Sequence, residues 1–282
     1  MDRLRGKTFI VTGASSGFGR AIALTFAREG ANVVCSSRRA DPPPLMEGID
    51  LDVAKAEGFD VSTEATHELI VKNGGQAKFI SCDVVNSESV ENMVRGAVDT
   101  YGELNGIVCN AGIYGGGAVT HKLTDEMYHR VFDTNVLGTW LCSKFAVEQM
   151  LKQGKGGTVL CSSSSSALNP YVKQAFYSMS KAAIAMMVRT MCIEYGRAGI
   201  TVNALCPTSC KTPLAMNNYL KPEYRAFTEN RVPLGRYGDV QDVANAALYL
   251  CSSEASYITG VLFPVDGGDI NTVGVLPELD LY

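Results

Sequence analysis

The sequence predicts an α/β fold: a single domain on a doubly wound, seven-stranded parallel sheet with helices on both faces. Three observations carry that expectation. Short apolar, β-branched runs alternate with helical patterns almost from end to end, and this rhythm requires right-handed crossovers between parallel strands. A Gly-rich turn separates the first such run from the first helical pattern. No linker divides the 282 residues, and they contain no repeat of fixed period.

Taken in order, Thr8–Thr12 is the first strand, and the helical pattern Gly19–Glu29 follows the turn. Ala31–Cys35 is the second strand, and Ala77–Cys82 the third, reached through the helical stretch Ser62–Asn73. Gly106–Cys109 comes after the helix Val90–Thr100. Thr158–Cys161, Thr201–Leu205 and Val261–Pro264 complete seven strands, with helices over Asp125–Gln149, Tyr177–Ala198 and Val240–Ser252. Two segments interrupt the rhythm. Asp41–Asp60 carries Pro42–Pro44 and mostly acidic charge, and reads as a surface loop inserted between the second strand and its helix. Thr208–Arg231 lies between a strand and a helix near the end and reads as a mobile lid. The final stretch, Asp269–Tyr282, is apolar with little charge. It is expected to pack on a partner subunit, because exposed Leu and Tyr are unfavourable.

Composition narrows the function. Hydrophobic residues make up 46% and charged residues 19%, ordinary for a soluble enzyme. A net charge of -4 gives no electrostatic case for nucleic acid or an anionic membrane. No stretch approaches the roughly 18 apolar residues of a membrane span, and Thr8–Ala14 is too short for a signal segment. The nine cysteines are odd in number and contain no C-x-x-C pair, which points to reduced thiols in a cytoplasmic protein. Cys206 and Cys210 have no histidine nearby, and His67, His121 and His129 lie far apart without ligand spacing, so no metal is expected.

The chemistry starts from Tyr177 and Lys181, four residues apart on one helical face. A phenol is a poor acid or base at neutral pH; an ammonium beside it favours the phenolate and is expected to move its pKa down. With a hydroxyl donor such a pair polarises a carbonyl while a proton passes to or from its oxygen. In the turn Thr12-Gly13-Ala14-Ser15-Ser16-Gly17-Phe18-Gly19, the glycines let backbone amides approach a pyrophosphate at the positive end of the helix. The second strand ends in Ser36-Ser37-Arg38-Arg39 with no acid, which suits a 2′-phosphate and therefore NADP(H), held by Ser37, Arg38 and Arg39. The acidic insertion leaves NAD(H) as the alternative.

These motifs together resemble the classical short-chain dehydrogenase/reductase family over about residues 5–268, whose fold is of the Rossmann type. The resemblance places Gly13, Ser15, Ser16, Gly17, Phe18 and Gly19 in the cofactor loop, and Asp83 and Val84 at the adenine. It also sets Asn110, Ala111 and Gly112 along the cofactor, with Pro207, Thr208 and Thr212 at the nicotinamide carboxamide. Asn135 matches the asparagine whose backbone holds a water of the family's proton relay. The family's serine stands thirteen residues before the tyrosine, which selects Ser164 from the run Ser162–Ser166, with Ser166 as the second choice. The implied catalytic set is Asn135, Ser164, Tyr177 and Lys181, with Tyr177 as acid/base and both Tyr177 and Lys181 also touching the cofactor. Three positions depart from the pattern: Thr208 replaces a usual glycine, Cys109 a common asparagine, and Ser16 a residue that is basic in many NADP enzymes.

Tyr114, Ser166, Tyr171 and Leu214 are expected to line a pocket for a small to medium ketone or secondary alcohol. A carrier-bound acyl chain is disfavoured by Ala198 before Gly199, where related ketoacyl reductases often have arginine. The resemblance implies a homotetramer, or else a homodimer, built on the helices near Asp125–Gln149 and Tyr177–Ala198 and on the last strand. The alternative to an oxidoreductase is a nucleotide-binding sensor or scaffold of the same fold.

Overall fold

Every residue of β1 (Thr8–Thr12) is buried, as a strand covered on both faces requires. It belongs to an all-parallel sheet with β2 (Asn32–Ser37), β3 (Gln76–Ser81), β4 (Gly106–Cys109), β5 (Gly157–Ser162), β6 (Ile200–Pro207) and β7 (Leu262–Val265). The computed structural model describes residues 2–44 and 49–272. The strand order is β3-β2-β1-β4-β5-β6-β7, so the chain reverses its direction of travel between β1 and β4 and opens a crevice beyond their carboxyl ends.

Alternation along the strands divides the core in two. Ile10, Val34, Ile107 and Val159 face α4 (Ser87–Tyr101), α6 (Gly138–Gln153) and α7 (Ala175–Tyr195). Phe9, Val11, Val33, Val108 and Leu160 face α1 (Gly17–Arg28), α3 (Thr66–Lys72) and α10 (Val240–Cys251). Seven strands stand in the predicted sequence positions, each within a few residues of the expected bounds.

The helix expected over Asp125–Gln149 is broken. α5 (Asp125–Phe132) and α6 are joined by a π turn, Asp133–Leu137, centred on Asn135. One wide turn inserts a residue into the helical repeat, a change that apolar periodicity does not register.

The insertion also differs from a bare loop. Residues 45–48 lie outside the described residues, but α2 (Leu51–Ala56) follows them, its first turn capped by the Asp50 carboxylate, which accepts from Asp52 N at 2.9 Å and Val53 N at 3.1 Å. Ala54 and Phe59 are buried against Met216, Tyr219 and Tyr237. The first two of these partners belong to α8 (Met216–Tyr219), which precedes α9 (Pro222–Arg231) in the segment after β6. Phe59 meets the Tyr219 ring edge-on at 5.1 Å. Glu57 accepts from the Tyr219 hydroxyl at 2.8 Å and pairs with Arg225 at 3.1 Å, and Lys211 donates to the Glu57 carbonyl at 2.8 Å. The insertion and the segment after β6 thus share a third, smaller core. At its far end Arg20, 2% exposed, reaches from α1 to Asp60, Ser62, Glu64 O and Thr66. These bonds replace the helical turn expected from Ser62, so α3 starts at Thr66. Of the terminal tail, Asp269–Asn271 form a single 3-10 turn, and 273–282 lie outside the described residues.

Because the small core is separate from the two large ones, Phe59→Ala is expected to loosen it alone. Loss of a buried phenyl ring removes about 3 kcal/mol locally. Amide hydrogen exchange in α2 and α8 should accelerate about 100-fold while β1 and β4 keep their protection; a uniform change across the molecule would contradict a separate unit.

Candidate active site

A single groove of about 1740 Å³ runs along the carboxyl ends of the strands. Gly13, Ser15, Ser16, Gly17 and Phe18 line it above α1, and Ser37, Arg38, Arg39, Asp83 and Val84 line it beyond β2 and β3. Asn110, Ala111 and Gly112 follow from β4, then Ser164, Tyr177 and Lys181. Pro207, Thr208 and Thr212 stand after β6, and Tyr114, Ser166, Tyr171 and Leu214 complete the wall. Gly19 and Asn135 do not reach the groove. A Cβ at Gly19 would lie 2.2 Å from Gly13 O and 2.7 Å from Asn110 Nδ2, so its bare backbone is what lets α1 seat against the turn. Asn135 is fully buried behind the groove: its Oδ1 accepts from Ile113 N at 2.8 Å, and its Nδ2 donates to Ile113 O at 2.9 Å and Ser180 Oγ at 3.0 Å.

The turn fits a dinucleotide pyrophosphate. Gly13 has φ +66°, Ser16 caps α1 without a side-chain hydrogen bond, and the first turn of α1 holds no acid, so its amides are open to an anion. Arg38 and Arg39 are exposed, and among the described residues neither forms an ion pair. The acids of the insertion are mostly committed elsewhere: Asp50 to its helix, Glu57 to Tyr219 and Arg225, Asp60 to Arg20. Among the insertion's described acids only Asp41 lines the groove.

Each serine of the run has its own partner. Ser162 Oγ donates to Asn110 Oδ1 at 3.2 Å, and Ser163 Oγ to Lys181 O at 2.9 Å. Ser165 Oγ donates to the Tyr171 hydroxyl oxygen at 3.1 Å, since the phenol's one proton goes to Asp269. Ser164 Oγ accepts from Ser166 N at 3.2 Å and from Ser166 Oγ at 2.9 Å, which leaves its own proton for the groove. The two candidate serines therefore differ in kind: Ser166 supports Ser164.

Lys181 Nζ donates to Ser162 O at 2.8 Å and stands 5.5 Å from the centre of the Tyr177 ring. Burial pulls the Lys181 ammonium from 10.5 down to about 8, against the pull of the Cys161 and Cys206 thiols. Tyr177 shows the opposite of the expected direction. Burial pushes its phenol up, the Ser164 hydroxyl opposes this, and Tyr114, whose ring centre is 5.5 Å away, adds to it. Desolvation penalises both charged forms, and in the free protein it outweighs the attraction of an ammonium whose nearest hydrogen bond goes to a carbonyl.

Sequence reasoning missed Arg20, Glu57, Arg231 and Asp269. Arg231 lines the groove, and its Nε lies 2.7 Å from Oδ1 of Asp269, a carboxylate 2% exposed. The usable signal was Thr208, at a position where the family usually has glycine; its hydroxyl donates to Asp269.

Residues 13–269 match the protein-family model described as enoyl-(acyl carrier protein) reductase. The chain is 35% identical over 267 residues to 3beta-hydroxysteroid dehydrogenase 1 of Eggerthella lenta, covering 95% of each. It is 36% identical over 265 residues to glucose 1-dehydrogenase 2 of Bacillus subtilis, covering 94% of this chain and 95% of the relative. A solved short-chain type dehydrogenase/reductase from Mycobacterium marinum superposes with a TM-score of 0.81 at 31% identity, over 94% of this chain and 96% of that one. The chain belongs to the short-chain dehydrogenase/reductase family, and it is an NAD(P)-dependent oxidoreductase acting on CH–OH and C=O groups.

Lys181 carries a stability cost with a definite sign. Between about pH 8 and 10.5 the unfolded chain holds this proton and the folded one does not, so stability attributable to Lys181 rises with pH across that window. The span corresponds to about 3 kcal/mol. Lys181→Met, compared with the wild type by urea unfolding, should therefore lose about 3 kcal/mol of relative stability between about pH 7 and pH 10.5. Parallel pH profiles would show that the buried ammonium is not destabilised.

Proposed function

We propose that the groove interconverts a small to medium ketone and its secondary alcohol, with NADP(H) preferred over NAD(H). The observation that carries this reading is the convergence of Ser164, Tyr177 and Lys181 on the groove that also takes in the Gly-rich turn and Arg38. Gly13 to Gly17 and the first amides of α1 hold the pyrophosphate. Arg38, Arg39 and Ser37 meet the 2′-phosphate, and Asp83 and Val84 the adenine. Asn110, Ala111, Gly112, Pro207, Thr208 and Thr212 line the nicotinamide end. When bound, the nicotinamide supplies or accepts the hydride.

The protein's own part is orientation and proton handling. Ser164 donates its free proton to the substrate oxygen, and Tyr177 gives or takes the proton of the reacting hydroxyl. Lys181, anchored on Ser162 O, supplies positive charge to the nicotinamide ribose and the phenol. Asn135 keeps the π turn open, so that its backbone carbonyl is free to hold a water of the proton path.

Relatives named for a 3beta-hydroxysteroid and for glucose support a ring-borne hydroxyl or carbonyl as the substrate class. Tyr114, Tyr171 and Leu214 offer apolar surface for a ring, and Ser166 a hydroxyl beside it. The segment 208–231 acts as the lid, and the insertion 41–60 is its counterpart across the cofactor end. Met179, Met186 and Ile193 recur every seven residues on α7 and are exposed, as are Leu137 at the end of the π turn and Trp140 and Leu151 on α6. That stripe supports a homotetramer, or a homodimer, formed through these helices. Eight of the nine free cysteines are buried, which accords with a reducing, cytoplasmic location. Among the described residues no helix is long and apolar enough to cross a membrane.

Titration with NADPH and NADH, followed by a turnover screen of ring ketones, ketoses and their alcohols, tests the reading; tight binding without any turnover would move it to a sensor. Tyr177→Phe should lower kcat about 10²–10⁴-fold and leave the Kd for NADPH within a few-fold; near-normal activity would remove Tyr177 from the proton step. Arg38→Ala should weaken NADPH about 10–100-fold and leave NADH little changed. Equal losses would refute the 2′-phosphate contact.

A further inference from the structure

Asp269 sits on the 3-10 turn after β7, one residue beyond Gly268, and does not itself line the groove. Its carboxylate gathers side chains from three separate segments. Tyr171, after β5, donates its hydroxyl to Oδ2 at 2.7 Å. Thr208, after β6, donates its hydroxyl to the same oxygen. Arg231, at the end of α9, places Nε 2.7 Å from Oδ1 and Nη2 3.1 Å from Oδ2. All three donors line the groove. The guanidinium also lies 4.7 Å from the Tyr171 ring centre and 5.5 Å from that of Phe227, so it is packed between aromatic faces.

Two consequences follow from physics. A carboxylate this deeply buried is tolerable only if it is paired; here Oδ2 takes all three hydrogen bonds, and Oδ1 has the ion-pair contact with Arg231 Nε alone. Conversely, the guanidinium on the groove wall is already neutralised from behind, so it has little attraction left for an anionic substrate.

We propose that Asp269 is a positioning and specificity-determining residue: it locks Tyr171, Thr208 and Arg231 into one wall and tunes that wall for uncharged ring alcohols and ketones over carboxylate-bearing ones. The proposal rests on the oxidoreductase reading above and names the substrate charge that reading leaves open. It also accounts for Thr208 at a usual glycine position, since only a hydroxyl there reaches the carboxylate. Asp269 acts through its three partners and touches no reacting atom.

The test compares matched probes, cyclohexanone with its ring carboxylate and glucose with glucuronate, in the wild type and in Asp269→Asn. The variant keeps the shape and removes the charge. KM for the neutral probe should rise with kcat within a few-fold, and the ratio of kcat/KM for the anionic over the neutral probe should rise about tenfold. Adding Arg231→Gln to Asp269→Asn should bring the ratio back. Lys173 and Glu223, which also line the groove, are the same in every variant, so the ratio isolates the pair. A brace without a charge role would lower both probes equally and leave the ratio unmoved, which overturns the assignment. If Asp269→Asn does not fold by circular dichroism, Arg231→Gln alone serves. It leaves a bare carboxylate behind the wall and should lower the ratio; an unchanged ratio there is equally fatal. A wild type that turns over neither pair removes the ring alcohol and ketone class proposed above, and this proposal with it. Hydrogen exchange in α9 gives a readout independent of turnover: Asp269→Asn should lose protection there, and retained protection would contradict the locking role.

Discussion

The site depends on how the carboxyl edge of the sheet is laced together at Asn110. Three parallel strands end side by side there, with carbonyl and amide groups that no further ladder can pair. Asn110 N and Ala111 N both donate to the Thr12 hydroxyl, at 2.9 and 3.1 Å, and Asn110 Nδ2 donates to Thr12 O at 3.0 Å. Asn110 Oδ1 takes the Ser162 hydroxyl, and Ser162 O takes Lys181 Nζ. One amide side chain therefore ties the ends of β1, β4 and β5 and, through Ser162, sets where the lysine stands. The same amide is the nearest side chain that a Cβ at Gly19 would meet, so the first turn of α1 comes close to it only because that residue is glycine. The Gly-rich turn and the Tyr177–Lys181 end of the groove are held by one connected set of bonds on the rigid part of the fold.

That rigidity explains how a half-buried tyrosine and a buried lysine can be held together at a cost. Burial moves each towards its neutral form, the ammonium to about 8 and the phenol upward. A site built for stability alone would hold neither group there. Among the described residues the lysine has a carbonyl and two thiols, and no carboxylate, to favour its charge. In the proposed reaction this imbalance is useful. An ammonium whose proton leaves at about 8, beside a neutral phenol, responds strongly to charge brought into the groove, whereas an ion pair already satisfied would not.

The sheet was legible from sequence because a strand buried on both faces writes its burial into consecutive residues, as in Phe9–Val11 or Val202–Leu205. The Gly-rich turn and the Tyr177–Lys181 spacing were legible for a related reason: their geometry is local. What escaped was non-local or depended on a single-residue irregularity. The π turn at Asn135 breaks a helix with no proline and only Gly138 at its far edge, a lone glycine that a helical pattern tolerates. α2 carries a capping aspartate at Asp50, yet three prolines nearby and an acidic composition outweigh it in a window reading. Its partners, Tyr219 and Arg225, lie more than 150 residues away. The Asp269 cluster joins four segments that share no motif. Direction of the Tyr177 shift also escaped, because spacing reveals a neighbouring charge and says nothing of the water excluded around it.

The contacts of the insertion bear on how the groove works as a whole. Asp41 and Pro43 line the cofactor end, while Ala54, Glu57 and Phe59 of the same segment grip α8 and α9. At the other edge, Arg231 at the end of α9 is held by Asp269. The segment after β6 is thus fastened at both ends, to the insertion through exposed, salt-sensitive pairs and to β7 through a buried one. The Glu57–Arg225 pair is roughly one-third exposed on each side and contributes little by itself; the buried Phe59–Tyr219 contact carries most of that attachment.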